Sequence, residues 1–124
     1  MSEKKRVVLI GWNPEVVDYS KWPDLNPEKL MAALEADRSK LNDLGYEASV
    51  LFIDNAETAY DVVKKVLGDV DCDCVLIGAG VRADPEHFIV FERLVNAAHE
   101  SAPKAAICFN TNPSDTADAV QRWV

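Results

Sequence analysis

Four short apolar runs constrain this 124-residue chain more than any other feature. Arg6 to Gly11, Glu47 to Asp54, Cys72 to Gly78 and Lys104 to Asn110 each carry apolar side chains on neighbouring positions rather than on every second one. A strand of that kind has no face for water, so it belongs in a parallel sheet covered by helices on both sides. Between and after these runs the sequence predicts helices over 27–44, 56–68, 85–101 and 113–123. Their starts are well marked. Asn26-Pro27-Glu28, Asp84-Pro85-Glu86 and Asn112-Pro113-Ser114-Asp115 each set a cap acceptor before a proline at the first helical position, with an acid in the first turn. Asp54-Asn55-Ala56-Glu57 reads as a capping box with Asp54 as the cap. Gly45 and Gly68 supply the stops.

Strict alternation of strand and helix implies right-handed crossovers between parallel strands. With no repeats, low-complexity tracts or Ser/Gly linkers, residues 1–124 read as one α/β domain: a three-layer sandwich with a four-stranded parallel sheet in the order 2-1-3-4 and four helices. The order 3-2-1-4 is the alternative. In the first arrangement the helix after strand 1 covers one face, and the helices after strands 2 and 3 cover the other. The last helix returns to the first face, and strand 4 is left as an open edge.

The balance of charge narrows the partners. Thirteen Lys+Arg against 21 Asp+Glu give a net charge of -8, which repels phosphate backbones and argues against nucleic acid. The longest apolar stretch near the start, Val7 to Ile10, is too short for a signal core or a membrane span. Three cysteines (Cys72, Cys74 and Cys108) make an odd count, which points to small buried thiols in a reducing cytoplasm. Alternation with Asp71 and Asp73 predicts Cys72 and Cys74 on one face of the sheet. No His or further Cys stands at ligand spacing, so no metal is expected.

In doubly wound sheets ligands bind at the carboxyl ends of the strands, where neighbouring connections diverge. For the 2-1-3-4 order that crevice lies between strands 1 and 3. Three loops meet there. The first runs from Trp12 to Asn26, unusually long for a strand-to-helix connection, and carries Asn13, Asp18, Tyr19, Lys21 and Trp22; long loops at this rim are often functional lids. The second is Gly78-Ala79-Gly80-Val81-Arg82, the third Asn110-Thr111-Asn112.

Arg82 is the sharpest candidate, because a guanidinium beside a helix start can hold a carboxylate or phosphate through two parallel hydrogen bonds. The other reading is a salt bridge to Asp84, Asp18 or Asp54 that only staples the loops. Trp12, Asn13, Gly80, Asn110 and Thr111 complete the expected ligand-binding set. His87, Tyr19 and Asp18 are the candidates for moving a proton, as in an isomerase, lyase or hydrolase. His87 also fits a packed, hydrogen-bonded role on the apolar face of its helix. Asp37 falls in the centre of the stripe made by Leu30, Leu34, Leu41 and Leu44, where a carboxylate needs a partner. Gly78 to Ala83 matches the pattern G-x-G-x-x-A, but Asp84-Pro85 starts the helix too late for a pyrophosphate and too little chain follows for a dinucleotide half-domain. No cofactor is named by the sequence.

The helix over 85–101 is apolar around about half its circumference, through His87, Phe88, Val90, Phe91, Leu94, Val95 and Ala98. A helix on a sheet needs less. The excess either packs on the last helix with Trp123 or forms a homodimer interface.

The layout of strands and helices resembles flavodoxin-like folds, and in size and alternation it is similar to response-regulator receiver domains. Gly11-Trp12 and Gly78-Ala79 stand where a receiver carries its acidic pair and its phosphoacceptor aspartate, so that activity does not transfer. The flavodoxin phosphate loop is also missing after strand 1. The blocks Val75 to Arg82, Phe91 to Asn96 and Ile107 to Pro113 resemble a family of short bacterial and fungal proteins, a likeness that implies no activity. The expectation is therefore a cytoplasmic, homodimeric α/β protein that binds a small anionic or polar molecule. A non-enzymatic interaction module is the alternative.

Overall fold

The computed structural model describes residues 4–124 and has four parallel strands in the order 2-1-3-4. They are β1 (Arg6–Trp12), β2 (Glu47–Ile53), β3 (Cys74–Ile77) and β4 (Ala106–Phe109). Strand β1 is central, pairing Arg6 with Glu47 on β2 and Val7 with Cys74 on β3, while Cys74 pairs with Ala106 on β4. The order 3-2-1-4 is thereby excluded.

Five helices follow from the sequence rather than four: α1 (Pro27–Asp43), α2 (Ala56–Asp69), a single turn α3 (Ala79–Arg82), α4 (Phe88–Ser101) and α5 (Thr116–Gln121). The region expected as one helix from 85 begins as a 3-10 turn over Pro85–His87, and the last helix likewise begins as a 3-10 turn over Pro113–Asp115. Caps act where Asn and Asp precede these starts. Asn26 accepts from Lys29 N, Asp84 from Glu86 N and Asn112 from Ser114 N, with Asp115 completing a capping box. On α2 the cap is Asn55, one residue later than expected, and it accepts from Thr58 N. Gly45 ends α1 with φ of 100°, a conformation that a side chain would resist.

Strand alternation divides the core into two layers. Val8, Ile10, Val75 and Ile77 point to α2 and α4, where they meet Val63, Leu67, Val90 and Leu94. Val7, Leu9, Leu76 and Cys108 point to α1 and α5, against Leu41, Ala117 and Val120. Each fully buried aliphatic side chain of this kind contributes about 1.5–3 kcal/mol of transfer free energy.

Two expectations fail here. Cys72 joins the α2/α4 layer and Cys74 the α1/α5 layer, so the two thiols do not share a face. The reason is that β3 starts only at Cys74: Asp73 keeps backbone bonds to Arg6 O and from Ala106 N, but it stands at a bend, where its carboxylate also takes the Arg6 backbone N–H, so regular alternation does not extend back to Cys72. Trp123 does not cover α4, because α5 lies on the opposite face and the indole is 63% exposed. All three cysteines are buried and unbridged, with Cys74 Sγ 3.4 Å from Cys108 Sγ.

Candidate functional site

The carboxyl ends of β1 and β3 are bridged by Trp12 and α3. Gly78 ends β3 and donates its N–H to Ile10 O, which holds the two strand ends together. Its carbonyl then accepts from both Val81 N and Arg82 N, so the glycine-flanked segment closes into one helical turn over the crevice. The Trp12 indole N–H donates to Gly80 O at 3.3 Å, and its ring lies against the His87 ring with centroids 4.7 Å apart. Trp12, Gly80 and His87 thus come together. His87 Nε2 lies 3.7 Å from Asp84 Oδ2 and the side chain is one-third exposed.

The long loop is fastened at both ends. Asn13 donates its amide to Asp54 Oδ1 at 3.0 Å while its own Oδ1 caps Glu15 N. Tyr19 OH donates to Pro14 O at 2.6 Å, and loss of hydration pushes its phenol pKa up. Asp18 accepts from the Ser20 hydroxyl and backbone N–H, which hold its carboxyl below the usual range. Lys21 reaches across to Asp84 at 3.2 Å and to Glu86, and these two carboxylates raise its pKa. Asp84 is kept ionised chiefly by the Glu86 backbone N–H, with Lys21 adding to it. Lys21 and Asp84 are the residues that fix the loop over the start of α4. Sequence reading named both without giving them that role; the signal was an Asp-Pro-Glu helix start facing a loop lysine.

Arg82 has no ion pair among the described residues, so the staple to Asp84, Asp18 or Asp54 that formed the alternative reading is absent there. Its Nη2 donates to Asn110 O at 3.0 Å, and its Nε is buried without an acceptor. Asn110 is itself buried. Its Oδ1 accepts from Ala79 N at 2.8 Å, its Nδ2 donates to Thr116 Oγ1 at 2.9 Å, and the Thr116 hydroxyl donates to Asp37 Oδ2 at 2.8 Å. Asp37 therefore has the partner that its place in the stripe demanded, a hydroxyl rather than a cation. Burial pushes the Asp37 pKa up.

The polarity of this chain of bonds is fixed at both ends. A backbone N–H can only donate and a carboxylate can only accept, so the Asn110 amide has a single satisfied orientation. Thr111 is occupied locally, with its N–H and hydroxyl on Asp115. Of the expected set, Arg82 and His87 retain unspent hydrogen-bonding capacity, whereas Asn13, Asp18, Tyr19, Asn110 and Thr111 are engaged within the protein.

Two surface concavities lie elsewhere. One of about 450 Å³ between α2 and α4 is lined by Glu57, Tyr60, Asp61 and Arg93; one of about 220 Å³ at the amino end of the sheet is lined by Lys4, Lys5, Arg6, Asp71 and Asp73. No group of three or more His, Cys, Asp or Glu suited to a metal occurs among the described residues, and none of their helices is long and apolar enough to cross a membrane. No family model matches the chain, and no curated protein matches its sequence.

Proposed function

We propose that this protein binds a small anionic or polar molecule at the carboxyl ends of β1 and β3, with Arg82 as the anion-holding group. One observation carries the reading: among the described residues no carboxylate neutralises the guanidinium, and its Nε–H has no acceptor. A buried donor left unpaired costs about 1–3 kcal/mol, and an incoming carboxylate or phosphate removes that cost. Entry requires the 13–26 loop to move. Its tether to α4 is the exposed lysine pair with Asp84 and Glu86, contacts of a kind worth about 0–1 kcal/mol. If the bound molecule reacts, His87 is the group to move a proton: its ring is positioned by Trp12 and its Nε2 faces Asp84. Tyr19 and Asp18 serve that chemistry less well, since one is bonded to Pro14 O and the other caps its own loop. The flavodoxin-like layout and the buried, unbridged thiols support a cytoplasmic protein of this class.

The test is thermal unfolding against small carboxylates, inorganic phosphate and nucleotides, with Arg82→Ala in parallel. A ligand at about a hundred times its dissociation constant adds about 2.7 kcal/mol, a clear rise in midpoint. A rise that disappears in Arg82→Ala is expected. No rise with any compound, or an equal rise in the variant, overturns the reading.

A second reading, a homodimeric interaction module, is favoured by Phe88, which stands 59% exposed on α4, and by β4, which among the described residues pairs only with β3.

A further inference from the structure

We propose that a second copy of this chain pairs antiparallel with the free edge of β4 through a two-fold axis at Ile107, joining two four-stranded sheets into one of eight. The proposal rests on the interaction reading and adds the register. Among the described residues, strand β4 pairs with β3 alone. Its ladder opens with Ala106 N donating to Asp73 O, so alternation directs the backbones of Ala106 and Cys108 inward and those of Ile107 and Phe109 outward. The Arg122 guanidinium already takes the Phe109 carbonyl at 3.0 Å, and Ala105 N already donates to Ala102 O.

What remains at this edge is a self-complementary set: both backbone groups of Ile107, the Phe109 N–H and the Ala105 carbonyl. With the axis at Ile107, each Ile107 exchanges two bonds with the partner's Ile107, and each Phe109 N–H reaches the carbonyl of the partner's Ala105. The two groups already occupied, Phe109 O and Ala105 N, face each other across this register, so each outer pair keeps one bond where a free pair would make two.

The helix beside the edge fits the same axis. The Phe91 and Phe109 rings meet edge-on at 5.7 Å, which sets the height of α4 against β4. Two strand residues span about 6.6 Å and four helical residues about 6 Å, so Val95 stands level with Ile107. At about 100° per residue, Phe88, Glu92 and His99 lie within roughly 60° of Val95 around α4. Antiparallel α4 helices then bring Glu92 beside the partner's His99, twice, with Phe88 and Val95 filling the apolar seam. That symmetric placement of acid and base about the axis favours a second copy over a foreign strand. The β2 edge is guarded: Glu47 and Ser49 are exposed and Glu47 is paired with Arg6.

Sedimentation of the whole chain over a concentration series tests this. Ile107→Pro removes only an outward N–H and no bond to β3, and circular dichroism reports whether the variant is folded. Val95→Lys is the second variant, on the surface of α4. Each is expected to weaken a wild-type dimer by about tenfold or more. Glu92→Lys and His99→Glu each weaken it singly, and together they restore it. A wild-type chain that stays monomeric at about 0.1 mM overturns both the interaction reading and this register. A dimer indifferent to Ile107→Pro and Val95→Lys overturns the β4 pairing while the interaction reading stands.

Discussion

Thr116→Val removes one hydroxyl while keeping the shape of the side chain, and it cuts the Asn110–Thr116–Asp37 chain in the middle. Thr116 is 2% exposed and Asn110 6%, so water does not replace the lost oxygen at the Asn110 amide. An amide N–H left unpaired in that setting costs about 1–3 kcal/mol. Asp37 is half-buried, so solvent takes over much of its lost bond and the loss there is about 0.5–1 kcal/mol. The sum is about 1.5–4 kcal/mol, which lowers the melting temperature of a chain this long by roughly 5–15 °C. Urea unfolding at neutral pH measures it, with Thr116→Ser as the control: that variant keeps both bonds and loses one methyl, about 1 kcal/mol. The effect depends on pH. Burial raises the Asp37 pKa in the folded protein, and the Thr116 hydroxyl acts against that rise. A raised folded pKa means that stability is fully present below the unfolded value and declines as pH rises through the folded one. Removing the hydroxyl lifts the folded pKa further, so the penalty of Thr116→Val grows as pH rises above the unfolded value of about 4. A Val variant within about 0.5 kcal/mol of wild type, or a penalty that ignores pH, refutes the reasoning.

Leu94 is fully buried on the face of α4 that packs on the sheet, and Leu94→Ala is expected to lose about 2–5 kcal/mol in urea unfolding. Asp18, Asp84 and Asp115 have pKa values lowered by hydrogen bonds from the Ser20 hydroxyl, the Glu86 backbone and the Thr111 hydroxyl. Their contribution is present above the unfolded pKa of about 4 and is lost as pH falls through the lowered values, so the urea midpoint drops steadily on acidification. The thiols are expected to resist a water-soluble thiol reagent in the native protein and to react, all three, after unfolding. Burial pushes the Cys72 thiol up, and Cys74 is pushed up by its bond to Cys108 and by burial. Labelling at native pH without unfolding contradicts the buried pair.

Sheet order and layer assignment were legible because the four apolar runs leave few alternatives once crossover handedness is imposed. The caps at Asn26, Asp84 and Asn112 were legible because the side chains act within three residues of themselves. What escaped was decided by distant contacts. The turn α3 forms in a segment whose two glycines argue against helix, because the carbonyl of Gly78 is held in place by the strand-end bond to Ile10. Cys72 changes layer because the Asp73 carboxylate bonds Arg6 N, 67 residues away. In the candidate site, proximity was legible and availability was not. Asn13, Asp18 and Thr111 stand at the rim as expected, yet short polar side chains in loops satisfy nearby backbone and neighbouring groups first. Arg82 and His87 escape this because their longer side chains reach past the local turn.

The central place of β1 has a consequence for how the chain is assembled during synthesis. Of the four strands described, the first to be made is one of the two that need two neighbours, and they arrive late: Arg6 meets Glu47 across 41 residues and Asp73 across 67. Val7 to Ile10 must therefore wait, apolar on both faces and with the edge that β3 will take unpaired, while some seventy residues are made, several seconds at the usual rate of about 5–20 residues per second. Non-local parallel pairing of this sort closes in roughly milliseconds to seconds once its partners exist. The interval before β3 appears is thus the period of greatest risk of aggregation, and the Lys4-Lys5-Arg6 charges directly ahead of the run are placed to keep nascent copies apart.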